Sequence, residues 1–456
     1  MIKIIVLTII SLIFLGCGSS DGSATTITLP QQEPEILPPQ EPEILPPQEP
    51  EILPPQEPVP FPVSESSIPM LCILVNYDDQ KIISSDSVWS DKIFGKNNHQ
   101  LNHYYQENSN FQFEFAKVSE NRGILNDGIA SVSLNKNHPN IDIDSSNFSS
   151  SFYPDLGDAL RELDSDVDFS NFDNNADGYI SSNELVITFI IAGYEDAYEG
   201  FHVANGIWAH QSCVSSTVDT VTLDSVTLMS CSAQGKFSLF GERHNLNNSH
   251  DATIGIIAHE LGHSAFHLPD LYNTSNSNRG GIGALGLMGL GTWGYENNLD
   301  YPGNTPSHFC AWSKQYNNWL TPSLQTGYSN LDESSSLEYN VVKIPIDSTS
   351  YYLVENRNNS GYDKGLNALS GIFNGGVALW KIDESRLTQT YIDNNNVNAD
   401  TQNKGVDLVE AIMGSIDSAG SYGDESALYY DSNVNSFENV ISNVSSRGTL
   451  MSLNIN

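Results

Sequence analysis

Thr253–Tyr272 reads TIGIIAHELGHSAFHLPDLY, and the rest of the chain is best read outward from it. Ile254, Ile256, Ile257 and Ala258 form an apolar run of helical character, which predicts a buried helix over Thr253 to His263. Within it His259 and His263 stand four residues apart, with Glu260 beside the first. A spacing of four puts both imidazoles on one helix face, close enough to share one zinc ion, and leaves the glutamate beside the metal as a base. A plain helix with two polar-face histidines is the bland alternative. The apolar context argues against it, because buried imidazoles need partners and a metal supplies them.

Catalytic zinc takes three protein ligands and keeps one open position. His267, Glu296 and Asp270 are the candidates for the third. A continued helix carries His267 about 12 Å along the axis from His259, too far for bonds of about 2 Å. Glu296 lies in a Gly/Asn-rich loop. Asp270 is preferred, because the helix should break around Phe266–Pro269, and Pro269 turns the chain so that Asp270 returns to the metal.

Upstream, Asp173–Glu184 reads DNNADGYISSNE. On a twelve-position calcium loop, Asp173, Asn175 and Asp177 take positions one, three and five. Gly178 is the turn, Tyr179 offers its carbonyl, Ser181 acts through water and Glu184 closes the loop as a bidentate ligand. An Asx-rich surface turn is the alternative. The following LVITFIIA, Leu185 to Ala192, reads as a strand and not as an exiting helix, so a lone structural Ca²⁺ site is expected. Met70 to Tyr77 (MLCILVNY) reads as a buried central strand, Phe111 to Phe115 as an alternating strand and Asp155 to Leu163 as a helix. Beyond Trp319 come short strands between Asn/Ser/Gly turns, at Val341 to Ile344, Tyr351 to Glu355, Gly376 to Ile382 and Val406 to Ala411. The expected class is α+β: a catalytic domain over 67–325 with a twisted mixed sheet and an active-site helix, then a β-rich domain over 326–456.

The segment HELGHSAFHLPDLY resembles the active site of immune inhibitor A-type metallopeptidases, the M6 family of metzincin-like zincins. Further matches are Gly286-Leu287-Met288-Gly289-Leu290-Gly291-Thr292-Trp293, Pro306 to Trp312, Tyr351 to Arg357 and Gly376 to Asp383. The commonest metzincin spacing has Gly three residues after the second His and the ligand six after it. Here Phe266 and a one-residue longer interval to Asp270 replace them. The resemblance implies a zinc-dependent endopeptidase that hydrolyses extracellular proteins through zinc-activated water. His259, His263 and Asp270 hold the zinc, Glu260 acts as general base, and Met288 forms the floor of a methionine turn. Tyr295 and Tyr301 are both open as oxyanion stabilisers. The rival reading is a catalytically inactive zincin-like binding or adhesion protein.

The chain has 456 residues, and 19 basic against 56 acidic side chains give 19 − 56 = −37. Such a balance excludes nucleic acid as a partner. Residues 1–17 form a lipoprotein-type signal: Lys3, an apolar run too short to span a bilayer, and Phe14-Leu15-Gly16-Cys17 with Cys17 as the lipidated residue. The octapeptide QEPEILPP recurs three times from Gln32 to Pro55, so 18–66 reads as an extended proline-rich tether reaching roughly 150 Å. An extracytoplasmic monomer is expected, on the outer membrane or cell surface, touching membrane only through the lipid. Cys213 and Cys231 are expected to pair, as exported chains allow. Two motif-like strings carry nothing: Gly281–Gly286 lacks the strand–turn–helix context of a dinucleotide loop, and Gly18–Gly22 lies in the tether.

Overall fold

The computed structural model describes residues 67–141, 148, 152–199, 203–215, 220–275, 280–297, 300–412, 416, 422–431 and 439–456. The signal, Cys17 and the tether lie outside them. The architecture is α+β.

The central strand is Ser67–Asn76. Its stretch Met70 to Val75 is apolar because both faces are covered, as parallel strands inside a sheet require. Met70, Cys72 and Leu74 face the same core as the helix Ile254–Ser264. Leu71, Ile73 and Val75 face the opposite core with the helix Tyr153–Arg161. Strands Glu114–Lys117, Ile129–Ser133 and Val186–Glu195 pair with it in parallel. Phe237–His244 extends the sheet in parallel beyond Val186–Glu195, and the short strands His210–Ser212 and His250–Asp251 run antiparallel on its outer side.

One expected strand is displaced. Phe111–Gln112–Phe113 is not extended: Asn110 and Phe111 have φ of 51° and 60°, the Phe113 N–H donates to Ser109 Oγ at 3.0 Å, and pairing begins at Glu114. The alternating pattern there reflects Phe113 and Phe115 packing on Tyr105 and Phe266 under the motif helix, with Phe111 turned to solvent.

The β-rich part forms a sheet ordered Ser323–Leu324, Val342–Pro345, Ser350–Arg357, Gly376–Asp383 and Val406–Leu408. Alternation splits its faces. Tyr352, Val354 and Leu379 pack on Leu331, Met451 and Leu453 of a smaller sheet. Leu353 and Trp380 share one continuous core with Met288, Phe309 and the motif helix. Across this junction the buried Arg357 donates to both carboxylate oxygens of Asp363, at 2.6 and 2.5 Å, and to the carbonyl of Leu285 at 2.5 Å. The β-rich part thereby holds the loop that carries Met288. Cys213 and Cys231 form a disulfide with Cα atoms 4.9 Å apart, and Cys72 and Cys310 are buried thiols.

Candidate metal centre

Every residue of the helix Ile254–Ser264 is buried. A Cβ placed on Gly262 would lie 2.5 Å from Met288 Sδ, and one on Gly255 would lie 2.0 Å from the carbonyl oxygen of Thr292. The small residues of the helix are thus where the methionine loop backs onto it. After Ser264 the helix stops. His267 takes φ 55°, an uncommon conformation for a residue other than glycine, and the chain reverses there. The N–H groups of His267 and Leu268 return to the carbonyls of His263 and Gly262 at 3.1 and 3.0 Å. That reversal delivers Asp270 to the histidines.

His259 Nε2 and His263 Nε2 lie 3.2 Å apart, and Asp270 Oδ1 lies 3.0 and 3.2 Å from them. All three side chains are buried. The Nδ1 atoms face the carbonyls of Leu287 and Leu268 at 3.1 and 2.6 Å. A carbonyl only accepts, so each Nδ1 carries a hydrogen and each Nε2 turns a lone pair toward the other and toward a carboxylate oxygen. Three electron-rich atoms so placed call for a cation between them. Tetrahedral ligands at about 2.0–2.1 Å from zinc stand about 3.3 Å from one another, so the donor set fits that ion. Among the described residues this is the one cluster of three His, Cys, Asp or Glu ligands at such spacing.

The charges agree with the geometry. Burial lowers an imidazole pKa, yet the hydrogen bond and charge of Asp270, with Glu260, hold His259 up at about 9, so a proton on Nε2 takes the place of the cation when no metal is bound. Burial also opposes ionisation of Asp270, but His263 and His259 keep its carboxyl far below the usual range. The site therefore favours positive charge. Glu260 is buried beside it, and its Oε2 has no hydrogen-bond partner. Burial foremost pushes its carboxyl pKa up, while the two histidines pull it down.

His267 is buried outside the cluster, and burial lowers its pKa to about 3. Glu296 is also outside the cluster; its N–H donates to Asp300. The ring of Tyr301 stacks on His250 with centroids 3.7 Å apart. Met288 is buried under Gly262. Two residues that sequence reasoning passed over reach Asp270 Oδ2: Tyr272, whose hydroxyl donates at 2.8 Å, and Asn395. Tyr272 was legible as a donor two residues from the ligand. Asn395 carried no signal.

The acidic loop is arranged differently. Asp173 accepts from the N–H groups of Asp177 and Gly178 at 3.1 and 3.0 Å. Glu184 accepts from Asn174 and Asn175 on one oxygen and from the Ser181 N–H and hydroxyl on the other. Gly178 has φ 80°, the turn for which glycine is favoured. Tyr179 bridges to Thr227, and a strand follows from Val186.

The family model described as immune inhibitor A peptidase M6, catalytic domain, matches residues 75–321, more than half of the chain. The chain belongs to the M6 peptidase family. Membership makes it a peptidase, with proteins as substrates, of a class that uses zinc. A comparison with curated proteins found no match.

Proposed function

We propose that this M6 peptidase is a zinc-dependent endopeptidase cleaving extracellular proteins, with Glu260 as the general base. The observation that carries the reading is the convergence of His259 Nε2, His263 Nε2 and Asp270 Oδ1 beside an unpartnered Glu260 oxygen. Zinc bound there supplies Lewis-acid polarisation of a peptide carbonyl and a nucleophile at neutral pH. The protein does the rest. The carbonyls of Leu287 and Leu268 fix both imidazole tautomers, as outer partners of ligating histidines do. Glu260 takes the proton of the attacking water and delivers it to the leaving amine, and a carboxyl pKa raised by burial suits it to both halves of that exchange. Met288 fills the space beneath the helix as packing.

Metal analysis of the purified protein, with casein cleavage measured before chelation, after it, and after zinc is restored, tests this reading. One zinc per chain and reversible loss of cleavage are expected. A protein that cleaves casein equally well without metal sinks the proposal. Asp270→Ala should lose zinc where Glu296→Ala keeps it.

Two further readings rest on the sequence. The loop Asp173–Glu184 is a structural Ca²⁺ site, supported by its twelve-position pattern and by the positive φ of Gly178. A calcium-dependent rise in melting temperature, abolished by Glu184→Gln, is the expected result. The chain is anchored outside the cytoplasm through lipid on Cys17, which Cys17→Ser should release. Among the described residues no helix is long and apolar enough to cross a membrane.

A further inference from the structure

We propose that Asn395, which lies in the excursion between strands Gly376–Asp383 and Val406–Leu408, is a positioning residue for Asp270 and through it sets zinc affinity. The inference rests on the zinc reading above.

The two oxygens of Asp270 are divided between two tasks. Oδ1 faces His259 and His263. Oδ2 accepts from Asn395 Nδ2 at 2.5 Å and from the Tyr272 hydroxyl at 2.8 Å. Asn395 also holds the main chain of the ligand, because its Oδ1 accepts the Asp270 N–H at 2.7 Å. One amide thus fixes both ends of the residue, and with Oδ2 engaged by two donors only Oδ1 is left for an ion. The histidines get comparable support from main-chain carbonyls, His263 from Leu268 five positions on and His259 from Leu287 28 positions on. Asp270 follows the chain reversal and draws its support from Tyr272 two residues on and from Asn395 125 residues away.

Asn395 is itself held in place. It takes φ 53°, a left-handed conformation in which Asn is enriched. Its carbonyl accepts from Thr274 Oγ1 at 2.8 Å. Beside it, Asn398 Nδ2 donates to the carbonyls of Leu271 and Val406 at 2.9 and 2.7 Å. Asn398 therefore ties the same two segments together with no contact to the ligand side chain, which makes it the control for a purely structural tie.

The test is zinc affinity of the full chain by chelator competition, with the melting temperature of each metal-free variant as a check of folding. Asn395→Gly tolerates the backbone conformation and removes both bonds to Asp270. Its affinity should fall about 10–100-fold, the range for lost outer partners of metal ligands. Asn398→Ala should stay within about threefold, since it leaves the ligand's partners in place. The visible spectrum of the cobalt-substituted protein should change for the first variant and not for the second. Wild-type affinity in Asn395→Gly, or an equal fall in both variants, overturns the proposal. If Asn395→Gly does not fold, Asn395→Asp decides, since it keeps the acceptor for the Asp270 N–H and loses the donor to Oδ2. A wild type that binds no zinc fails the parent reading itself, a different result from a zinc-binding wild type whose affinity Asn395 does not touch.

Discussion

His259, His263 and Asp270 on one side and the loop Asp173–Glu184 on the other are both clusters of metal-type ligands, yet they are built on opposite principles. In the first, the outer atom of every ligand is occupied, by Leu287, Leu268, Tyr272 and Asn395, and the inner atoms face only one another. In the second, the carboxylates of Asp173 and Glu184 spend both oxygens on N–H and O–H groups of their own loop. A buried set of lone pairs with no donor among them is costly unless a cation joins it. A loop whose charges are satisfied locally is stable as it stands, and an ion there must compete with existing bonds. The difference teaches that ligand-rich sequence is not the same as a prepared site. Preparation is a matter of what holds the far side of each ligand.

Glu260→Gln strikes the prepared site hardest: casein cleavage should fall about 10²–10⁴-fold with zinc content unchanged, and a variant as active as wild type would leave the inactive-zincin reading standing. Arg357→Ala removes the support of the methionine loop from behind and strands Asp363 in the core. A loss of about 3–5 kcal/mol is expected in denaturant unfolding. Acid should reveal the cost of charging buried imidazoles. His210 donates from Nδ1 to the Trp208 carbonyl and accepts the Tyr153 hydroxyl on Nε2, and burial lowers its pKa to about 4. His138 is likewise lowered by burial to about 4. Both have folded pKa values below the unfolded one, so the stability they contribute is complete above about 6.5 and is lost as pH falls toward 4. The slope should be on the order of 1 kcal/mol per pH unit for each group, and His210→Gln should flatten it. Gly262→Ala pushes a methyl group against Met288 and should cost about 1–3 kcal/mol; an unchanged melting temperature would show that the floor beneath the helix is not tight. Asp173→Ala is the mildest change, about 1 kcal/mol for the lost loop bonds without calcium. Zinc content should not move, and any loss of it would erase the independence of the two sites.

Much of the molecule is legible in the sequence. Met70 to Tyr77 reads as a buried central strand and Leu185 to Ala192 as a strand, and both are strands; the helix expected over Thr253 to His263 agrees to within a residue. Phe111–Phe113 misled because burial of one aromatic face in a turn imitates strand alternation. Tyr272 lay in plain view beside Asp270.

Local spacing settled the two histidines, the glutamate beside them and the break that frees Asp270, because helix periodicity and proline sterics act over a few residues. It also pointed to a peptidase, the class that the family match shows. Tertiary structure alone decided what stands behind the ligands. Arg357 reaches the Leu285 carbonyl across 72 positions and Asn395 reaches Asp270 across 125. Contacts that long are set by how the β-rich sheet packs on the methionine loop, and no local pattern in the chain encodes them.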